Sequence, residues 1–100
     1  PAIELNAIIP CKGQEKRWSA EHKARYNRIL SECENVVYIA AGYFKGCMLE
    51  RNRRLVDCCD VLLAVFDGTS GGTSYTVNLA SKKGKIIIVI EPNTLEVLRP

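Results

Sequence analysis

Residues 67–73 read Asp-Gly-Thr-Ser-Gly-Gly-Thr and directly follow the apolar run VLLAVF at 61–66. Glycine and hydroxyl side chains interleaved at the end of a buried strand could hold an anion. Where a strand gives way to a helix, the first helical turn offers unpaired N–H groups and the positive end of its dipole. Gly68, Gly71 and Gly72 would let the backbone take positive φ and come close to a phosphate, while Thr69, Ser70 and Thr73 can donate hydroxyls. No GK[ST] follows, so this is not a Walker loop, and the spacing is not GxGxxG. The competing reading is a tight structural turn in which Asp67 and Ser70 bond their own backbone. Seven residues and three hydroxyls exceed what a crossover requires, which favours phosphate or nucleotide binding.

The segment MLERNRRLVDCCD at 48–60 supplies candidate partners for that anion. Arg51 falls in the first turns of a helix at the flank of its apolar stripe, where a guanidinium could reach over the end of a sheet. Asn52 falls on the stripe itself, and a buried amide there needs partners. Arg53 and Arg54 read as a solvated basic face. Glu50 could hold Arg51 in place or meet a sugar hydroxyl. Upstream, Lys12 in PCKGQEKRW (10–18) and Lys45 in AGYFKGC (41–47) read either as phosphate partners or as plain loop lysines, and Tyr43 and Phe44 either stack on a base or pack in the core. Trp18 precedes a helix cap, a position where apolar side chains pack back on the helix, with base stacking as the second choice.

These residues need a scaffold, and the pattern of the chain provides one. IELNAII (3–9) predicts a strand ended by Pro10, and Ser19 predicts the N-cap of a helix over 20–34. VVYIA (36–40) is β-branched and aromatic, so a second strand. Met48, Asn52, Leu55, Val56 and Cys59 recur at helical spacing over 47–59. VLLAVF (61–66) and IIIVI (86–90) are apolar on both faces, the signature of strands buried in a parallel sheet between helices. A helix over 73–83 closed by Gly84 joins them. The order is βαβαβαβ, an α/β Rossmann-like open parallel sheet in one domain over 1–100. Ligands in such sheets bind beyond the carboxyl ends of the strands, which selects the three glycine-containing loops at 10–18, 41–47 and 67–72.

Composition excludes several classes. A net charge of +3, with the basic residues spread along the chain, suits an anionic small molecule and makes nucleic acid an unfavoured partner. No apolar run approaches the roughly 18 residues of a membrane span and no leader pattern is present, so a cytoplasmic location and no membrane partner are expected. Five cysteines without CxxC spacing read as reduced thiols rather than a zinc site or a disulfide frame. His22 lies on the stripe His22, Tyr26, Ile29 and Cys33, where packing is the favoured role. No motif calls for a metal or a further cofactor. The chain lacks an initiator methionine and enters a strand within a few residues, so it is expected to be the later part of a larger domain. Four strands leave a sheet edge that another segment or a second copy would cover, and a homo-oligomer is expected.

MLERN, followed by VLLAVFDGTSGGT, resembles the SLOG superfamily, which takes in the Smf/DprA and LOG proteins. In the LOG phosphoribohydrolases the pattern is M-x-E-R-K, then a strand, then P-G-G-x-G-T-x-x-E. Met48, Glu50 and Arg51 match the first motif, with Asn52 in place of the lysine, and Gly71, Gly72 and Thr73 echo the second. PCKGQEKRW, RYNRIL, YFKGCMLERNRRLVD and GGTSYTVNLA extend a closer resemblance, to the uncharacterised YpsA/YoqJ-like SLOG family, over nearly the whole chain. That resemblance implies a first strand and a further glycine-rich loop upstream of residue 1. It also implies a pocket for a nucleotide or nucleotide-derived molecule that includes Arg51 and the Gly68–Thr73 loop, in a sensor or regulatory module. Two alternatives follow from it: a nucleoside monophosphate N-glycosidase, and a DprA-like single-strand DNA-binding partner. The enzyme reading meets an obstacle at Thr76, which stands where the LOG motif carries its glutamate. Threonine is no base at neutral pH; Asp67 or Glu15 could substitute if the pocket brings one to the sugar, and Arg51, Glu50 and Asp67 stand as the catalytic candidates.

Overall fold

The structure is a computed structural model that describes residues 3–99. It divides into two compact units, one running up to Cys47 and the other from Met48 onward. The alternation of strand and helix is as the sequence predicts, with the strands distributed over two sheets, one in each unit.

In the first unit β1 (Asn6–Cys11) and β2 (Asn35–Ala40) form a parallel pair. Pro10 does not end the strand. It has no N–H to give, so the ladder passes from Ile9↔Tyr38 to Cys11↔Ala40 over it, and Lys12 N donates to Ala40 O just beyond at 3.1 Å. The fixed φ of proline is compatible with extended backbone, and one missing donor with its neighbours held is tolerated. Ser19 caps α1 (Ala20–Ser31), its hydroxyl accepting from His22 N at 3.2 Å. The helix stops three residues before the predicted end, where Glu34 N turns away to donate to Leu5 O. Trp18 packs edge-on against Tyr26 at 5.4 Å, the packing role expected of a residue just ahead of a cap. His22 is exposed on the same side of α1, lining a shallow apolar hollow with Trp18, Tyr26 and Ile29.

The second unit holds the candidate site. After α2 (Cys47–Cys58), whose first residue belongs to the other unit, come β3 (Val61–Val65), α3 (Gly72–Lys82) and β4 (Ile86–Ile90). β3 and β4 pair in parallel from Val61↔Ile86 to Val65↔Ile90. A short β5 (Val97–Leu98), absent from the sequence reading, adds antiparallel to β4. The core is Val56 of α2, Ala80 of α3, and Ile87 and Val89 of β4, with Leu62, Phe66, Val77 and Leu79 packed around them. Burial of this set is the main favourable term holding the unit together. The sequence expectation that β3 and β4 are covered on both faces is corrected here. α3 packs on one face, while Val61, Leu63, Val65 and Ile86 on the other are 46–63% exposed. Strand composition reports a surface suited to burial, and within this unit one helical layer covers one face only.

Candidate functional site

Parallel pairing in register brings the carboxyl ends of β3 and β4 side by side, so the segments that follow them form one rim. Phe66, Asp67, Thr69, Ser70, Gly71, Gly72, Thr73 and Pro92 line a pocket of about 270 Å³ there. Six of the seven residues of the sequence motif face it, and Gly68 lines a neighbouring cavity. Pro92 was not anticipated. The signal was available: Pro92 follows β4, whose end the topology sets beside that of β3.

α3 points its N-terminus at this pocket. Gly71 is its N-cap, with φ 146° and ψ −164°, and no side chain caps the first turn. The first N–H groups are therefore not claimed by a capping side chain, and the helix dipole adds a positive end. Gly68 also has positive φ, at 92°. Among the described residues, no lysine or arginine lines the pocket, and Asp67 is the one charged group that does. Asp67 is committed to its own loop: Oδ1 accepts from Thr69 N at 3.0 Å and from Thr69 Oγ1 at 2.7 Å. This is the local side-chain turn that the structural reading of the loop expected, formed within the same pocket.

The two bonds to Asp67, the Thr69 hydroxyl first and the Thr69 amide second, hold its carboxyl below the ordinary aspartate value. A carboxylate with a depressed folded-state pKa contributes stability at pH above its unfolded value, and that contribution is lost as pH falls through the folded value. The expected result is that Asp67, followed by carboxyl-carbon NMR, titrates at lower pH than an unperturbed aspartate, and that Thr69→Val moves it back up. An unmoved Asp67 midpoint in Thr69→Val would overturn this account of the loop.

α2 approaches the same corner through Asn52. Its Nδ2 lies 3.6 Å from where a Cβ on Gly72 would stand, and its Oδ1 accepts from Arg51 Nε at 2.8 Å. Arg51 thus bonds Asn52, whose carboxamide lies next to the first residue of α3, and both side chains are partly buried. Glu50 does not hold Arg51. It pairs with Arg53 at 3.2 Å, because i, i+3 positions share a helix face whereas neighbours diverge. Arg53 is exposed, as the sequence suggested, and from the surface it also donates to Tyr75 Oη of α3 at 3.3 Å. Lys12 belongs to the first unit, where its ammonium sits 5.5 Å from the centre of the Tyr38 ring.

Thr76 lies one turn into α3. It is buried, and its Oγ1 donates to Gly72 O at 2.9 Å, so the hydroxyl is satisfied inside the helix and does not line the pocket. Among the described residues no group of histidine, cysteine and carboxylate side chains is arranged to hold a metal. No helix among them is long and apolar enough to cross a membrane.

Comparison with known proteins places these features in a wider set. The family model YpsA, described as the YspA SLOG family, matches residues 1–94. The uncharacterized SPbeta prophage-derived protein YoqJ of Bacillus subtilis is 31% identical over 94 positions, covering 82% of this chain and 55% of YoqJ. UPF0398 proteins of Bacillus cereus and Bacillus thuringiensis are 30% identical over 89 positions, covering 86% of this chain and 48% of theirs. The chain spans about half the length of these curated relatives.

Proposed function

The chain belongs to the YpsA-type SLOG family, and from that premise we propose that it binds a nucleotide or nucleotide-derived ligand through its phosphate, as part of a sensor or regulatory module. The observation that carries this reading is the uncapped N-terminus of α3 opening into a pocket lined by Ser70, Thr73 and Thr69, the last with its hydroxyl proton already given to Asp67. Backbone N–H groups at a helix start, with a glycine at the cap, are suited to a phosphate without a side-chain cation. Arg51 acts from behind, fixing the Asn52 carboxamide beside Gly72.

Thr76 favours binding over cleavage. Hydrolysis of an N-glycosidic bond calls for a carboxylate to stabilise positive charge on the sugar or to activate water. Thr76 has neither the charge nor a free hydroxyl, and Asp67 points its Oδ1 into its own loop.

Amide-resolved NMR of the chain titrated with nucleoside mono- and diphosphates and nucleotide sugars tests the reading. Shifts centred on the amides of Gly71, Gly72 and Thr73 are expected. A panel that leaves those amides unmoved at millimolar ligand would overturn it.

A further inference from the structure

Beside the phosphate pocket lies a second cavity of different character. Phe66, Val77, Val89 and Leu98 wall about 380 Å³, with Gly68 at one edge and Asp67 and Glu91 at the margins. The two cavities share Phe66 and Asp67, so they adjoin at the carboxyl end of β3. The fourth wall depends on β5. Glu91 accepts from Asn93 N at 2.8 Å and Thr94 N at 2.6 Å, which turns the chain after β4 and returns Leu98 opposite Val89.

The lining offers little to read a ligand's polar edge. Glu91 spends both carboxylate oxygens on Asn93 and Thr94, and Asp67 spends Oδ1 on Thr69. Apart from Asp67 Oδ2, what remains is hydrocarbon and one aromatic ring, next to a site suited to phosphate. We infer that this cavity takes the non-phosphate half of the ligand, and that the ligand class is a phosphate monoester bearing a flat ring, either an aryl group or a nucleobase carried on its sugar, whose face is accepted by shape with no discrimination among bases. The inference rests on the phosphate reading above and adds to it the class of the attached group. Specific base recognition elsewhere depends on paired donors and acceptors matched to the base edge, and this lining presents none. Burial of a ring against Phe66, Val77 and Leu98 is the source of affinity.

Calorimetric titration of the chain with inorganic phosphate, ribose 5-phosphate, phenyl phosphate, AMP and UMP tests it. Phenyl phosphate, AMP and UMP are expected to bind on the order of tenfold tighter than inorganic phosphate or ribose 5-phosphate. They are expected to lie within about threefold of one another, since no base edge is read. Leu98→Asn, uncharged and outside the phosphate pocket, should abolish the gain while leaving binding of inorganic phosphate in place. Phosphate binding with no gain from the ring overturns this inference and leaves the phosphate reading standing. A marked preference for AMP over UMP and phenyl phosphate also overturns it, as does a gain that survives Leu98→Asn. Absence of binding by every compound overturns both.

Discussion

Gly71→Ala is expected to destabilise the second unit by about 1–3 kcal/mol, whereas Gly72→Ala is expected to be neutral or mildly stabilising, by up to about 1 kcal/mol. The two glycines adjoin and both line the pocket, so the contrast isolates the backbone. Gly71 holds φ 146° and ψ −164°, a region that residues with a Cβ essentially do not populate. A methyl at Gly71 would meet no neighbouring atom within 4 Å, so the cost arises from the backbone alone and repacking cannot relieve it. Gly72 is the first residue of α3, and a methyl there would meet Asn52 Nδ2 at 3.6 Å, an ordinary contact. Alanine also loses less backbone entropy than glycine on entering a helix. The measurement is urea unfolding followed by the NMR signals of Leu79 and Ala80, which report the second unit itself. Equal costs at the two positions would show that Gly71 is not held in the strained region.

The same pair shows how far the sequence went. Glycines after a buried strand announce a loop that needs unusual backbone, and Gly68 and Gly71 have it, while Gly72 does not carry the positive φ that the sequence allowed it. The strands were legible because β-branched runs bounded by turn residues have few other uses. Pro10 was misread because proline weakens a ladder without always ending it. β5 was missed because two residues carry no periodicity, although Pro92 and Asn93 mark the turn before it. The partner of Glu50 was missed for a different reason. Spacing fixes which residues share a helix face, yet Arg51 and Arg53 were both within reach of the argument, and side-chain direction chose Arg53. Phe66 enters the site as the neighbour of Asp67, and Pro92 through the parallel topology that sets the end of β4 beside that of β3.

Thr76→Glu places a carboxylate at the position where the LOG motif that the sequence resembles has its glutamate, and here it is expected to cost stability without creating activity. Thr76 is 8% exposed on the face of α3 that also buries Ala80, and its hydroxyl is used by Gly72 O. A glutamate there loses that bond, worth about 1 kcal/mol, and puts its charge against the core. Burial favours the neutral form, so its folded-state pKa should rise above the unfolded value of about 4.3. For a carboxylate raised on folding, the penalty is absent below the unfolded pKa. It grows as pH increases, until the folded pKa is passed. A rise of about two units corresponds to roughly 3 kcal/mol at neutral pH. Thr76→Gln, similar in size and uncharged, supplies the reference: the two variants should match in stability near pH 4 and separate by that amount at pH 7. A difference that does not change with pH would mean the side chain escapes to solvent. Release of free base from AMP is expected from neither variant, because Thr76 does not line the pocket and a carboxylate grown from it starts inside the helix–sheet interface. Base release by Thr76→Glu would instead show that this position reaches the ligand, and that the glutamate alone separates this chain from the hydrolases it resembles.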